Sequence, residues 1–378
     1  MLSATRIHAD AATATVVSDT KEITDWALRY FGGWWNAAAV PAPADADRPL
    51  AQGSALLLAD VGSTRLADIV TLVGDYDHDE VDYANARTLV ARHEDGAIYA
   101  AQPAERLAYH YDPAANRLVI IGAHPQPVAV AAARLARELI RGQLLRAGFH
   151  ILHASCAVRD GRALLTFGPK GAGKTTTALL LAREGFELLA NDRVFIRPED
   201  GGLRILPWPS AAAIGFGLLE STGLYEPLRA RVLDGEQMHP TQDQRVTDAL
   251  HAGSTKPIWN AKGKELKPQF FPDQLSSLLG MTLATQAHAA ALLFPQVNKD
   301  TEPHVLDTPR ALGEEDFFTG KTEDRYPDIF RLAPTKAVPV TDLADRLAQL
   351  PRRALVLNHD SRTSAELLAK TAEGLLTE

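Results

Sequence analysis

Gly168-Pro169-Lys170-Gly171-Ala172-Gly173-Lys174-Thr175 satisfies every fixed position of the phosphate-loop pattern G-x-x-x-x-G-K-[ST]. Each residue type has a chemical task. The glycines, with Ala172 between them, let the backbone curl so that several N–H groups converge on one phosphate. Lys174 supplies a mobile point charge for the β- and γ-phosphates. Thr175 offers a hydroxyl to the Mg²⁺ that accompanies a nucleotide. Thr176 opens the following helix, whose positive end adds to the anion site. Lys170 projects from within the loop, towards solvent or a phosphate.

The flanks suit the motif. Ala163–Phe167 is a short apolar run that reads as a buried strand, and Thr176–Glu184 reads as a largely buried helix stopped by Gly185. Phe186–Ala190 reads as a second strand, ending at Asn191-Asp192. Upstream, Ile151–Val158 and Ala163–Phe167 are separated by Arg159-Asp160-Gly161-Arg162. Asp-Gly between two apolar runs predicts a tight hairpin with Arg159 opposite Arg162. Counting back along an unbroken ladder puts His153 opposite Gly168, beside the phosphate loop.

The whole chain narrows the classes. Its 378 residues and 46% hydrophobic content allow two domains or one elaborated domain. A net charge of −8 argues against a general nucleic-acid binder. Cys156 is the only cysteine, which excludes an intrachain disulfide and a cysteine zinc site. It lies in an apolar run and reads as an inert buried thiol. No apolar stretch is long enough for a bilayer, and residues 1–18 lack a signal-peptide pattern. The expectation is a cytoplasmic protein with no membrane partner.

Residues 1–125 read as an N-terminal α/β domain. It holds a helix over Ile23–Phe31, a loop over Ala39–Arg48, and strands at Ala55–Ala59, Ala97–Ala100 and Leu118–Ile121. The acids of Asp75–Asp82, with His78, read as a solvated loop. Pro127–Ala147 has a helical pattern, and Arg134, Arg137 and Arg141 share one face, expected to be solvated. Residues 126–378 read as the nucleotide-binding domain, with a polar insertion around 220–272. Within that domain, Ile205–Pro209 reads as an edge strand because of its prolines. Asp234–Lys267, with Lys256, Lys262, Lys264 and Lys267 beside Trp259, reads as a mobile loop or insertion. Ala289–Phe294 and Ala354–Leu357 read as strands, Asp307–Pro327 as irregular, and Thr341–Leu350 and Ser364–Leu376 as helices.

His153-Ala154-Ser155, the Gly168–Thr175 loop and Leu188–Val194 together resemble the HPr serine kinase family. That family shares its nucleotide-binding fold with phosphoenolpyruvate carboxykinases. The resemblance covers roughly residues 150–197. It implies an α/β fold, a P-loop core with a mixed sheet flanked by helices. It implies an ATP- and Mg²⁺-dependent kinase acting on a hydroxyl, either a serine of a protein or peptide or a hydroxylated small molecule. His153 matches the family histidine. Gly168, Gly173, Lys174 and Thr175 match the loop, and Asp192 matches the second acid of a pair. Asp192, His153 and Lys174 are then the catalytic candidates, Gly168–Thr176 the nucleotide site, and Thr175 and Asp192 the metal ligands. By analogy the chain is expected to form a homo-oligomer. Asn191 departs from the pattern, because the family has an acid there and an amide is no base. Two other readings stay open: an ATP-binding regulatory ATPase or switch without phosphotransfer, and a carboxykinase-like enzyme.

Overall fold

The computed structural model describes residues 2–43, 54–318, 327–334 and 340–377. The chain forms two compact units, Met1–Phe149 with Gly320–Val338, and His150–Thr319 with Pro339–Glu378. Both are mixed α/β structures with large sheets flanked by helices.

The first unit contains β1 (Ser3–Ala9), β2 (Ala12–Ser18), α1 (Lys21–Trp35), β3 (Ala38–Val40), β4 (Ser54–Val61), α2 (Ser63–Asp75), β5 (His78–Tyr83), β6 (Ala86–Arg92), β7 (Ile98–Gln102), β8 (Leu107–Asp112), β9 (Arg117–Gly122) and α3 (Pro125–Arg146). Among the described residues these strands make one sheet, in the order β3-β1-β2-β4-β9-β8-β7-β6-β5. Asp75, the first residue of the acidic stretch expected as a loop, ends α2, and the stretch from His78 onward is the outer strand β5. It pairs with β6, and Glu80 and Asp79 form cross-strand ion pairs with Arg87 and Arg92. Charge on a sheet edge is compatible with a strand, and it discourages pairing with other chains.

The arginine face of α3 is also not a solvated one. Arg137 is buried, Arg141 pairs with Glu138 at 2.8 Å, and Arg134 donates to the Tyr109 hydroxyl at 3.3 Å. The Arg134 guanidinium also lies over the Tyr83 ring at 4.7 Å. Long stems let these side chains cover apolar surface while their heads find internal partners.

The second unit contains β10 (His150–Leu152), β11 (Ser155–Arg159), β12 (Arg162–Thr166), α4 (Lys174–Arg183), β13 (Glu187–Ala190), β14 (Val194–Glu199), β15 (Gly202–Pro207), β16 (Ala212–Ala213), α5 (Phe216–Ser221), α6 (Tyr225–Leu233), α7 (Gln244–Ala252), β17 (Ile258–Trp259), β18 (Glu265–Leu266), β19 (Gln269–Phe270), α8 (Pro272–Ser277), β20 (Ala287–Val297), β21 (His304–Leu306), α9 (Thr341–Ala348), β22 (Arg352–Leu357) and α10 (Ser361–Thr377). The main sheet runs β10-β14-β15-β20-β12-β11-β13, and β22 joins on β20. β10 and β11 follow one another, as do β13 and β14, so the hydrogen-bonded path curls back to where it began.

Alternation along the strands sorts side chains to two faces. Leu152, Val158, Leu165, Ile196, Ile205 and Phe294 pack in one core, with Leu343 and Leu347 of α9. Leu164, Leu293 and Leu355 pack in the other, against Leu180 and Leu181 of α4 and Leu368 of α10. The second core is what fixes α4, and hence the start of that helix, against the sheet.

The predicted hairpin forms with Arg159 opposite Arg162. Asp160 and Gly161 both have positive φ, as a two-residue turn of this kind requires. Cys156 is fully buried, and burial pushes its thiol up. Ile205–Pro209 does not form an edge. β15 pairs with β14 along its length and with β20 through Arg204 and Ile205. Pro207 ends the strand beyond the second ladder, so its missing N–H interrupts nothing. Asp234–Lys267 holds a regular helix, α7, and the small hairpin β17–β18. Residues 44–48 of the expected N-terminal loop and 319–326 of the expected irregular stretch lie outside the described residues.

Gly142 of α3 sits against the Leu332 backbone, and a Cβ there would run into the Leu332 carbonyl oxygen. Alanine in a helix interior ordinarily gains about 1 kcal/mol over glycine. At Gly142 the sign reverses. Gly142→Ala is expected to lose about 1–3 kcal/mol of stability, read as a lower urea midpoint for the first unit.

Candidate nucleotide-binding site

The loop between β12 and α4 is built on glycine geometry. Gly173 has φ +101°, and a Cβ there would lie 2.9 Å from Val297 Cγ2. A side chain at that position meets backbone strain and a packed neighbour together. Ala172 N–H donates to Pro169 O at 3.1 Å, and Thr177 N–H to Gly173 O at 2.8 Å. Ser155, fully buried on β11, donates its hydroxyl to the Lys174 carbonyl at 2.8 Å, tying the helix start to the hairpin.

Lys174 is buried, and its Nζ donates to Gly168 O at 2.7 Å. Burial holds its ammonium below the ordinary lysine range; Asp192 and Asp316 oppose that effect and Arg310 adds to it. Lys170 and Gly171 are exposed, while Gly168, Ala172, Gly173, Thr175 and Thr176 are half-buried. Thr175 and Asn191 line one small cavity with Ala212 and Leu275.

His153 and Asp192 meet, but not by the route the hairpin count predicts. The β11–β12 ladder stops at Ser155 opposite Thr166. One step earlier the chain changes partner, and Leu152 pairs with Val194 of β14. Cys156 pairs with Ala190 of β13 in the same antiparallel register. Between these pairs both lines leave the ladder, at His153-Ala154 and at Asn191-Asp192-Arg193. In that gap His153 Nε2 lies 3.1 Å from Asp192 Oδ1. The His153 N–H donates to Asp316 O at 2.9 Å, which satisfies a backbone group the break would otherwise strand.

Burial works against ionising Asp192. The hydrogen bond and charge of His153, then the charges of Arg193 and Lys174, outweigh it and hold the carboxyl below its usual range. Arg193 Nε is 3.6 Å from Asp192 Oδ2, and its guanidinium lies over Phe318 at 4.5 Å. Asn191 is buried and accepts a hydrogen bond from the Ser210 hydroxyl at 3.3 Å.

Sequence reasoning gave no role to Ser155 and Arg193, although both lie in the segments that carry the resemblance, and it did not single out Arg310 or Asp316. Arg193 adjoins Asp192 and was within reach of a local reading. Arg310 and Asp316 lie more than a hundred residues downstream, where no motif marks them.

Oxygen donors such as the Thr175 hydroxyl and the Asp192 carboxylate suit a hard divalent cation. Among the described residues no three His, Cys, Asp or Glu side chains gather into a protein-only metal centre. That donor set fits a cation sharing its coordination with phosphate oxygens and water.

No family model matches the chain, and no curated protein matches it. Among solved structures it is similar to the HPr(Ser) kinase/phosphatase from Coxiella burnetii, at 12% identity. That match covers 60% of this chain and 92% of the other, with a TM-score of 0.26. No helix among the described residues is long and apolar enough to cross a membrane.

The depressed Asp192 carboxyl has a consequence for stability. A carboxylate favoured in the folded state contributes stability above its unfolded value and loses that contribution as pH falls through its folded value. Asp192→Asn is therefore expected to lower the urea midpoint at pH 5, with the difference from wild type shrinking as pH falls below about 4. Parallel urea titrations of the two proteins across pH check this.

Proposed function

We propose that this chain is an ATP- and Mg²⁺-dependent kinase of the HPr kinase-like type, which transfers the γ-phosphate to a hydroxyl. The observation that carries the reading is the His153–Asp192 contact beside Lys174, at the start of a helix preceded by a full phosphate-loop motif. Gly168–Thr176 supply the N–H groups and helix end for the phosphates, and Lys174 supplies the charge. Thr175 and Asp192 would hold Mg²⁺, directly or through water, and the ion when bound neutralises charge on the phosphate oxygens.

Asn191 cannot take a proton from the acceptor. The base is then assigned to His153. With Nε2–H donated to Asp192, Nδ1 carries the lone pair, and the carboxylate orients the ring and stabilises its charged form. The acceptor hydroxyl gives its proton to that nitrogen as its oxygen bonds to phosphorus and the bond to the leaving diphosphate breaks. Phosphoryl transfer asks the protein for positioning and charge stabilisation above all, and this cluster of cations and carboxylates is suited to both. The acceptor class is a serine of a protein or peptide, or a hydroxylated small molecule.

The buried Asn191 favours a second reading, a nucleotide-binding regulatory ATPase or switch that phosphorylates nothing. Transfer of labelled γ-phosphate to any protein or small-molecule fraction separates the two; release of label only as inorganic phosphate supports the second. Lys174→Ala is expected to weaken Mg-ATP binding by at least about a hundredfold, as loss of a charged contact to two phosphates implies. Wild-type affinity in that variant removes the nucleotide site, and with it both readings.

A further inference from the structure

The last helix, α10, packs on one face of the main sheet. Leu368 and Leu375 join Leu293 of β20 and Leu355 of β22 in a single core there. β21 extends the sheet beyond β22, with Val305 opposite Leu355. Residues opposite one another on a ladder share a face, so Val305 lies on the side that α10 packs against. The helix leaves it uncovered, 42% exposed. A cavity of about 240 Å³ lies at this place, with Val305, Leu367 and Leu375 as apolar walls.

Two cations complete the lining, Arg353 of β22 and Lys370 of α10. Arg353 stands two residues before Leu355 and so shares its face. It is half-buried, and its Nη1 donates to Arg352 O at 3.0 Å, using one of the five N–H donors a guanidinium carries. The acids within helical reach of Lys370 are engaged elsewhere. Glu366, four residues before it, pairs with Arg362 at 3.0 Å, and Glu373, three residues after it, pairs with Arg159 at 3.2 Å. Among the described residues Lys370 has no ion pair and no acid lines the cavity. Thr371 also borders it, with its hydroxyl donated to Leu367 O at 2.8 Å.

Gly374 forms the rest of the wall. Glycine is a poor residue for a helix interior, and neither backbone nor packing requires it here. Gly374 is not among the glycines of positive φ, and a Cβ would meet nothing within 4 Å. A larger side chain at this position would occupy the cavity instead.

We propose that this cavity is a second ligand site, for a short aliphatic carboxylate, with the hydrocarbon stem on Val305, Leu367 and Leu375 and the carboxylate on Arg353 and Lys370. Size and charge select that class. The volume is below the roughly 300–1,000 Å³ of ordinary ligand pockets, so the ligand is small. Two cations without a competing acid suit a carboxylate. Apolar walls favour one that carries a stem over a bare anion. None of the residues assigned to the phosphates lines the cavity, so the proposal stands apart from the nucleotide-site reading.

The test is a ligand-observed NMR titration of the full chain with sodium hexanoate, compared with hexanol, acetate and inorganic phosphate. Hexanoate is expected to bind at least about tenfold more tightly than each of the others, which lack either the charge or the stem. Arg353→Gln should weaken hexanoate roughly tenfold and leave hexanol within about twofold. Lys370→Gln, at an exposed position, should weaken hexanoate about threefold. Gly374→Leu should abolish hexanoate binding while its circular dichroism spectrum and urea midpoint match wild type. No hexanoate binding to wild type, equal binding of any comparison compound, or unchanged hexanoate affinity in Gly374→Leu overturns the proposal. Lys370→Gln and Gly374→Leu alter exposed positions, and they decide the matter if Arg353→Gln does not fold. Mg-ATP affinity should be unchanged in all three variants, so this site and the nucleotide site fail independently.

Discussion

Two strand lines in the second unit share one antiparallel register and break it at the same level. Leu152 opposite Val194 and Cys156 opposite Ala190 bracket the break. The shared register holds at those two pairs, and the β11–β13 ladder shifts by a bulge just beyond Cys156. All four flanking residues are fully buried, which fixes both ends of the gap in the core. His153 and Asp192 occupy this opening, and the next strand over, β12, runs directly into the phosphate loop. Everything proposed for the site depends on these two breaks coinciding.

Charge is arranged around that opening with little surplus. Asp192 is flanked by His153, Arg193 and Lys174, and Asp316 is engaged by Arg310. Burial works against the charged forms of Lys174 and Asp192, and each one's charge favours the charged form of the other. Cations held in place in this way need little reorganisation to meet a further anion.

Local grammar was enough for part of the fold. The strand, loop and helix around Gly168–Thr175 follow from apolar periodicity and glycine placement, and the Asp160-Gly161 turn follows from positive φ at both positions. Reasoning from residue type misjudged segments whose neighbours decide. Prolines suggested an edge at Ile205–Pro209, yet the second ladder ends before Pro207. Acids suggested a loop at Asp75–Asp82, yet arginines on β6 pair with them across a sheet edge. A charged stripe suggested solvent on α3, yet tyrosines and Glu138 receive it. In each case the deciding partner is distant along the chain or on another element.

The candidate site divides along the same line. The loop, Lys174, Thr175 and the terminal acid Asp192 are written locally, because the phosphate-loop motif is a matter of residue types at fixed spacings and a short stretch of chain supplies them all. His153 was named for a position opposite Gly168 that depends on an unbroken strand; its contact with Asp192 comes from the change of partner at Leu152. Arg310 and Asp316 carry no local mark. Asp316 meets the His153 strand only because the segment after β21 folds back along β10, where Phe318 N–H donates to Ile151 O, and Arg310 is held by Asp316. Spacing along a chain specifies a turn or a cradle, whereas the meeting of groups a hundred residues apart is decided by strand register and core packing.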